Sequence, residues 1–334
     1  MDLLNEIQHE TAREFVFDVR RQTAPLGSTD IDALDAHLRR TLASDVPLGF
    51  PASVQRGDVF EIAGPPSSGK THLLYWLVMQ CILPRDVVLS SAGAPLRSEN
   101  TSTGWGKVAV VCDCDGRWNA RRLHALLVAR LRRLAPNHTN TTLDDIARAA
   151  LKRLVVFHLG DTLSSAQLAA TLTTLPDYLR TQRPSEELGL LAIDTISATY
   201  VQDRWRSELD PHTSSSLTLA LHALKRIHAP LTVLANTTIA TNPSPPQGVY
   251  APPPNRVLVD SPLLVTHQIS LALGVIPKFP AEMTAAEALR DTLRREIVER
   301  GIVIAKVRTL REPDVEGQFK FEIHADEIVV ELFA

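Results

Sequence analysis

The sequence predicts an α/β protein: a mostly parallel sheet flanked by helices, with antiparallel strands at its C-terminal edge. Three observations carry this. Asp58–Ala63 suits a pleated strand and runs into a tight glycine-bearing turn and an apolar helix. Apolar strand-like runs then alternate with helical patterns as far as Asn236. Beyond that point strand candidates follow one another with only one polar helix among them, as expected of antiparallel neighbours.

Length and composition set the bounds. The chain has 334 residues, enough for one large α/β domain and a small appendage. Residues 1–52 read as an N-terminal helical segment and linker, and residues 53–334 as the core. A net charge of −3 argues against gripping nucleic acid through overall charge. No run of about 18 apolar residues is present, and the N-terminus lacks a basic stretch followed by an apolar one, so a cytosolic or nuclear location without membrane contact is expected. Cys81, Cys112 and Cys114 make no disulfide framework; the last two share a face of one predicted strand and read as buried thiols.

Taken in order, Leu3, Leu4 and Ile7 fall at helical spacing, and Ala12–Val19 could continue that helix. Thr29 and Asp30 precede a helical face of Ile31, Leu34 and Leu38. Pro47, Gly49 and Pro51 then break the pattern. Gly64-Pro65-Pro66-Ser67-Ser68-Gly69-Lys70-Thr71 fits G-x-x-x-x-G-K-[ST] at every fixed position, between a strand and a helix that Pro84 ends. Glycines let main-chain N–H groups and a helix N-terminus close around a polyphosphate. Lys70 offers a point charge to the outer phosphates, and the Thr71 hydroxyl is placed for Mg2+. These eight residues are the candidate nucleotide site, with ATP and Mg2+ as the expected ligands.

Residues 85–106 are rich in Ser, Gly, Thr and Asn and read as a mobile insertion. Val108–Asp113 is an apolar run closed by an acid, followed by an arginine-rich helix from Trp118 to Leu134 and a short one from Leu143 to Lys152. Leu154–Leu159 is a third strand, and Ala166–Arg180 a helix that Pro176 is expected to kink or end. Leu188–Asp194 again ends in an acid, where a chain with this glycine-bearing turn places its Mg2+ carboxylate, so Asp194 joins Thr71 as a candidate metal ligand. Ser216–Ile227 reads as a helix and Leu231–Asn236 as a strand. Residues 241–260 hold six prolines between Pro243 and Pro254 and read as mobile. Strand candidates at Gln268–Val275, Gly301–Val307 and Gln318–His324 follow, with a polar helix, Met283–Arg300, inserted near 281–300.

This order of parts resembles the RecA-type recombinase core, a P-loop NTPase fold, and within it the eukaryotic recombinase paralogs. The carrying residues are Gly57-Asp58, Leu74-Tyr75, Cys81-Ile82-Leu83-Pro84, Asp113-Cys114-Asp115 and Asp194-Thr195-Ile196-Ser197-Ala198, with Tyr200 and Asp203-Arg204. They cover residues 53 to 240, and the C-terminal strands less closely. The stretch before the core is expected to be too short for the family's N-terminal helical DNA-binding domain.

The resemblance implies a nuclear subunit of a paralog complex that supports recombinase filaments on single-stranded DNA during repair of double-strand breaks by homologous recombination. Its partner would be another paralog, met through the N-terminal side. Asp115 matches the family's catalytic glutamate but is one methylene shorter, and Thr237 stands where the family has a phosphate-sensing glutamine. ATP binding with slow or absent hydrolysis is therefore expected. Arg122 matches an arginine that stacks on adenine; read alone, it is a solvated helix-face arginine. The family's two DNA loops map to residues 202–215 and 241–260. Arg204, Trp205 and Arg206 in the first combine charge with stacking, beside the opposing charges of Asp203, Glu208 and Asp210. The competing readings are a free-standing P-loop ATPase or a small-molecule kinase, and a scaffold that has lost nucleotide binding.

Overall fold

The computed structural model describes residues 24–41, 53–85, 104–136, 138–160, 164–199, 203, 216–237, 265–274, 283–291 and 301–331. The helix expected across Leu3–Val19, the loop residues Arg204, Trp205 and Arg206, and the proline-rich 241–260 segment lie outside them.

Nine strands form one sheet: β1 (Asp58–Gly64), β2 (Val108–Asp113), β3 (Leu154–His158), β4 (Leu188–Asp194), β5 (Leu231–Thr237), β6 (His267–Leu273), β7 (Ile302–Thr309), β8 (Glu312–Ile323) and β9 (Ile328–Glu331). Their spatial order is β3-β2-β4-β5-β1-β6-β7-β8-β9. Pairing is parallel from β3 through β6 and antiparallel from β6 through β9. The mixed sheet read from the sequence is therefore present, with its antiparallel strands at the C-terminal edge.

The central strands are buried on both faces, which is why they read as unbroken apolar runs. Alternate residues feed two cores. Phe60, Ile62, Ala109, Val111, Leu190 and Ala192 point to one, with α1 (Asp32–Arg40), α2 (Lys70–Ile82), α3 (Ala120–Leu134) and α4 (Asn140–Leu151). Val59, Val110, Cys112, Leu191 and Ile193 point to the other, with α5 (Ser165–Gln182) and α6 (Ser216–Ile227). Asn119, Thr139 and Ser164 cap α3, α4 and α5 through their side-chain oxygens.

Several expectations are corrected. Pro176 does not end its helix: α5 continues to Gln182. Proline removes one backbone bond, but the turn beyond it keeps Tyr178 edge-on to Phe157 and Leu179 against the core. Of the helix expected from Met283 to Arg300, residues 292–300 lie outside the described residues. Among the described residues it is a six-residue helix, α7 (Ala285–Arg290), opened by a Thr284–Glu287 capping box. Asp291 then takes φ −74° and ψ 90°, outside helical geometry.

Cys114 lies one residue past β2, although its thiol is buried on the same side as Cys112. Residues 105–107 are pinned to the end of α2 by three bonds, Trp105 N–H to the Gln80 carbonyl (2.9 Å), Gly106 N–H to the Leu83 carbonyl (2.7 Å) and Lys107 N–H to the Cys81 carbonyl (2.9 Å). The N-terminal stretch from Ala24 to Thr41 shares the core of residues 53 onward: Leu26, Ile31, Leu34 and Leu38 are buried in it, and the Trp76 indole donates to the Thr29 carbonyl at 2.9 Å.

Candidate functional site

The C-terminal ends of the parallel strands carry the chemistry, where open α/β sheets leave a crevice. β1 ends at Gly64, and only glycine fits there. A Cβ would sit 2.5 Å from the Ser68 Oγ and 2.9 Å from the Leu271 carbonyl. Ser67 (φ +61°) and Gly69 (φ +88°) both take left-handed backbone to turn the chain into α2. A Cβ on Gly69 would approach Ile323 and Val303, so the turn is seated against β7 and β8. The Lys70 ammonium folds back over the turn and donates to the carbonyls of Gly64 (3.0 Å) and Pro65 (2.8 Å). Burial lowers its pKa, while Asp194 and Asp115 pull the other way.

Across from the turn stand three carboxylates. β2 and β4 are neighbours, and their register sets Asp113 beside Asp194. The Thr71 hydroxyl donates to Asp194 Oδ1 at 3.2 Å, which joins the helix to the strand end. Asp113 is fully buried and committed to folding the following loop. Its Oδ1 accepts the Arg117 N–H (3.1 Å), and its Oδ2 accepts the Trp118 N–H (3.1 Å) and His158 Nδ1 (2.9 Å). That loop carries Asp115, whose Oδ2 accepts from the Thr195 hydroxyl at 3.2 Å.

One oxygen from each of Asp113, Asp115 and Asp194 lies within 4.8 Å of the others, a spacing that can take a divalent cation. Asp194 Oδ2, Asp115 Oδ1 and Ser68 Oγ are buried without a hydrogen-bond partner among the described residues, so the groups facing this crevice fit a cation and an anion. Burial pushes Asp194 up to about 6, opposed by the Thr71 hydroxyl and reinforced by Asp115 and Asp113. Asp115 is also raised by burial, with Arg117 opposing.

The remaining sequence-predicted residues fall as follows. Gly64, Pro65, Pro66, Ser67, Ser68, Gly69, Lys70, Thr71, Asp115 and Asp194 come together. The Arg122 guanidinium donates to the His324 carbonyl, between β8 and β9. Asn236 turns its amide to Glu61 Oε1 (3.0 Å), and the Thr237 N–H is held by Ser197 Oγ (3.0 Å). Two residues of this group were not assigned a site role from the sequence. Asp113 stood out as a strand-ending acid and Thr195 only as the residue after Asp194, both within the runs that carry the resemblance.

The class these features define is an α/β chain with a glycine-bearing turn facing a carboxylate group across strand ends. No protein-family model matches the chain. It is similar to the DNA repair protein XRCC2 of Mus musculus, at 32% identity over 148 residues, covering 44% of this chain and 43% of that protein. It is also similar to the DNA repair protein XRCC2 homolog of Arabidopsis thaliana, at 27% identity over 191 residues, covering 50% of this chain and 48% of that one. The chain spans just under half the length of these curated relatives. The resemblance to the recombinase paralogs, and among them to XRCC2, holds over that stretch. Among the described residues no helix is long and apolar enough to cross a membrane.

Proposed function

We propose that the chain is a RecA-like, ATP-binding subunit of a recombinase-paralog complex that supports recombinase assembly on single-stranded DNA in homologous recombination. The observation that carries this reading is the bond between Thr71, at the start of the helix after the turn, and Asp194, at the end of a strand two places away in the sheet. It is supported by the similarity to two XRCC2 proteins named for DNA repair. On this reading Gly64–Thr71 would hold the phosphates through main-chain N–H groups and the Lys70 ammonium, and Thr71 and Asp194 would hold Mg2+. The cation would supply charge neutralisation between the phosphates. Lys70 would exchange the two carbonyls it now contacts for phosphate oxygens, and the loop folded by Asp113 would present Asp115.

Hydrolysis is expected to be slow. Asp115 has an aspartate's reach and one oxygen already engaged by Thr195, and a misplacement of about 1 Å can cost roughly a hundredfold. Arg122 would face the base, Arg204, Trp205 and Arg206 would meet single-stranded DNA within the complex, and the partner would be a second paralog in the nucleus. Binding of a fluorescent ATP analogue tests the core of this reading. Wild type should bind in magnesium and Lys70→Ala should not; equal binding by both, or by neither, refutes it. Copurification from the native source should bring down a recombinase paralog. Rapid phosphorylation of a small molecule would favour a kinase instead.

A further inference from the structure

We infer that Thr195 is a positioning residue that holds Asp115 and Asp194 in a common frame. The inference rests on the nucleotide-binding reading above and gives a role to a residue that the sequence left without one. Thr195 takes φ +61°, and among the described residues it is the one β-branched side chain in the left-handed region. A β-branched residue is strained there, and such strain persists only where the surroundings impose it. They do so here from three sides. Asp194 ends a paired strand and its carbonyl accepts the Cys114 N–H at 3.2 Å. The Thr195 carbonyl accepts the Ala198 N–H at 2.8 Å, opening a 3-10 turn over Ile196–Thr199. That turn is tied in its own right to β5 through Ser197 and the Thr237 N–H.

Glycine would take this backbone without penalty. What threonine adds is its hydroxyl, 3.2 Å from Asp115 Oδ2 and 3.4 Å from Asp194 Oδ1. A hydroxyl donates one proton. Asp194 Oδ1 already receives one from Thr71 and the Asp115 contact is the shorter of the two, so the Thr195 proton goes to Asp115. One oxygen of each carboxylate is thereby fixed by a threonine, and Asp115 Oδ1 and Asp194 Oδ2 are the two that stay unpartnered among the described residues. Asp113 leaves no unpartnered oxygen of its own, because both are engaged in folding the 114–118 loop. Thr195 is thus the link between a carboxylate on a loop and one on a strand end, 79 positions apart in sequence.

The experiment measures affinity for a fluorescent ATP analogue in EDTA and in millimolar magnesium, with thermal unfolding alongside. Wild type, Thr195→Val, Thr195→Ser and Thr195→Gly are compared. Thr195→Val keeps the shape and removes the hydroxyl; its magnesium-dependent gain in affinity should fall about ten- to a hundredfold, the loss of one hydrogen bond to a charged group, with EDTA binding unchanged. Thr195→Ser should match wild type. Thr195→Gly should unfold no earlier than wild type yet lose the same gain, a divergence that a purely structural role would not produce and a test that survives if the valine variant fails to fold. A full magnesium-dependent gain in Thr195→Val or Thr195→Gly overturns the inference, as does an equal loss in Thr195→Ser. Failure of wild type itself to bind the analogue overturns the nucleotide reading, and this inference with it.

Discussion

The burial of Asp194 carries a stability penalty whose size and sign can be worked out. Its side chain is wholly inaccessible, and its pKa stands at about 6 against an ordinary 3.8. Burial is the first cause, and the neighbouring Asp115 and Asp113 add to it. Between those pH values the folded state holds a proton that the unfolded chain has released. Stability from this group is therefore greatest below pH 4, falls as pH rises toward about 6, and stays low above that. At about 1.4 kcal/mol per pH unit, the displacement amounts to about 3 kcal/mol at neutral pH. Asp194→Asn removes the charge, keeps an oxygen to accept from Thr71 and turns a neutral amide toward the other carboxylates. Urea unfolding in EDTA at pH 7.5 should find the variant more stable by about 1 to 3 kcal/mol, the lower figure allowing for imperfect amide geometry. The advantage should shrink on acidification and vanish near pH 4, while magnesium-dependent nucleotide binding is lost at every pH. If Asp194→Asn is no more stable than wild type at pH 7.5, or if its advantage does not change with pH, the carboxylate is not the buried and mutually repelling group described here.

Two further outcomes follow from the packing. Trp105 is only 2% exposed, donates from its indole to the Ser28 carbonyl at 3.0 Å and lies against Gly27. Trp105→Ala should therefore cost about 3 to 5 kcal/mol in chemical denaturation; a loss under about 1 kcal/mol would mean that the 104–106 stretch is not docked. Cys81, Cys112 and Cys114 are each no more than 1% exposed, and burial raises all three thiols, Cys112 to about 12. A thiol reagent should find none of them in the native protein at pH 8 and all three after guanidinium, so a fast native equivalent would contradict the fold around β2 or α2.

Features whose chemistry is local were legible in the sequence. The Gly64–Thr71 turn declares itself because its glycines, lysine and threonine are contiguous. Strand β8 showed through Phe319 and Phe321, which are buried on one face. Its first half, from Glu312 to Gln318, pairs with β7 through a register shift between Arg308 and Thr309 and carries exposed charged residues, so no alternation marked it. Four-residue β9 is too short to register at all. Trp105 was hidden by averaging, since Ser, Gly and Thr around it give a loop-like window in which one anchored aromatic does not count. Of the two outcomes the proline rule allows at Pro176, the helix does not end there but runs on to Gln182, with Tyr178 edge-on to Phe157 and Leu179 packed against the core.

The carboxylate group shows where reading along the chain must stop. Two apolar strands each closed by an aspartate, Val108–Asp113 and Leu188–Asp194, were plain in the sequence, but whether those acids meet depends on sheet order. Had β3 been inserted between β2 and β4, Asp113 and Asp194 would lie two strands apart, roughly 10 Å, and no single ion could touch both. With β3 outside, the register pairs them directly. The same adjacency brings Asp115 within reach of Thr195, and adds the repulsion of Asp115 and Asp113 to the burial that chiefly raises Asp194. The frame around Thr195 and the raised Asp194 carboxyl therefore both depend on the pairing of β2 with β4. A change that loosens that pairing, such as a residue larger than Gly189 beside Lys107 and Cys81, should relax both together, whereas a change confined to the glycine-bearing turn should leave them as they are.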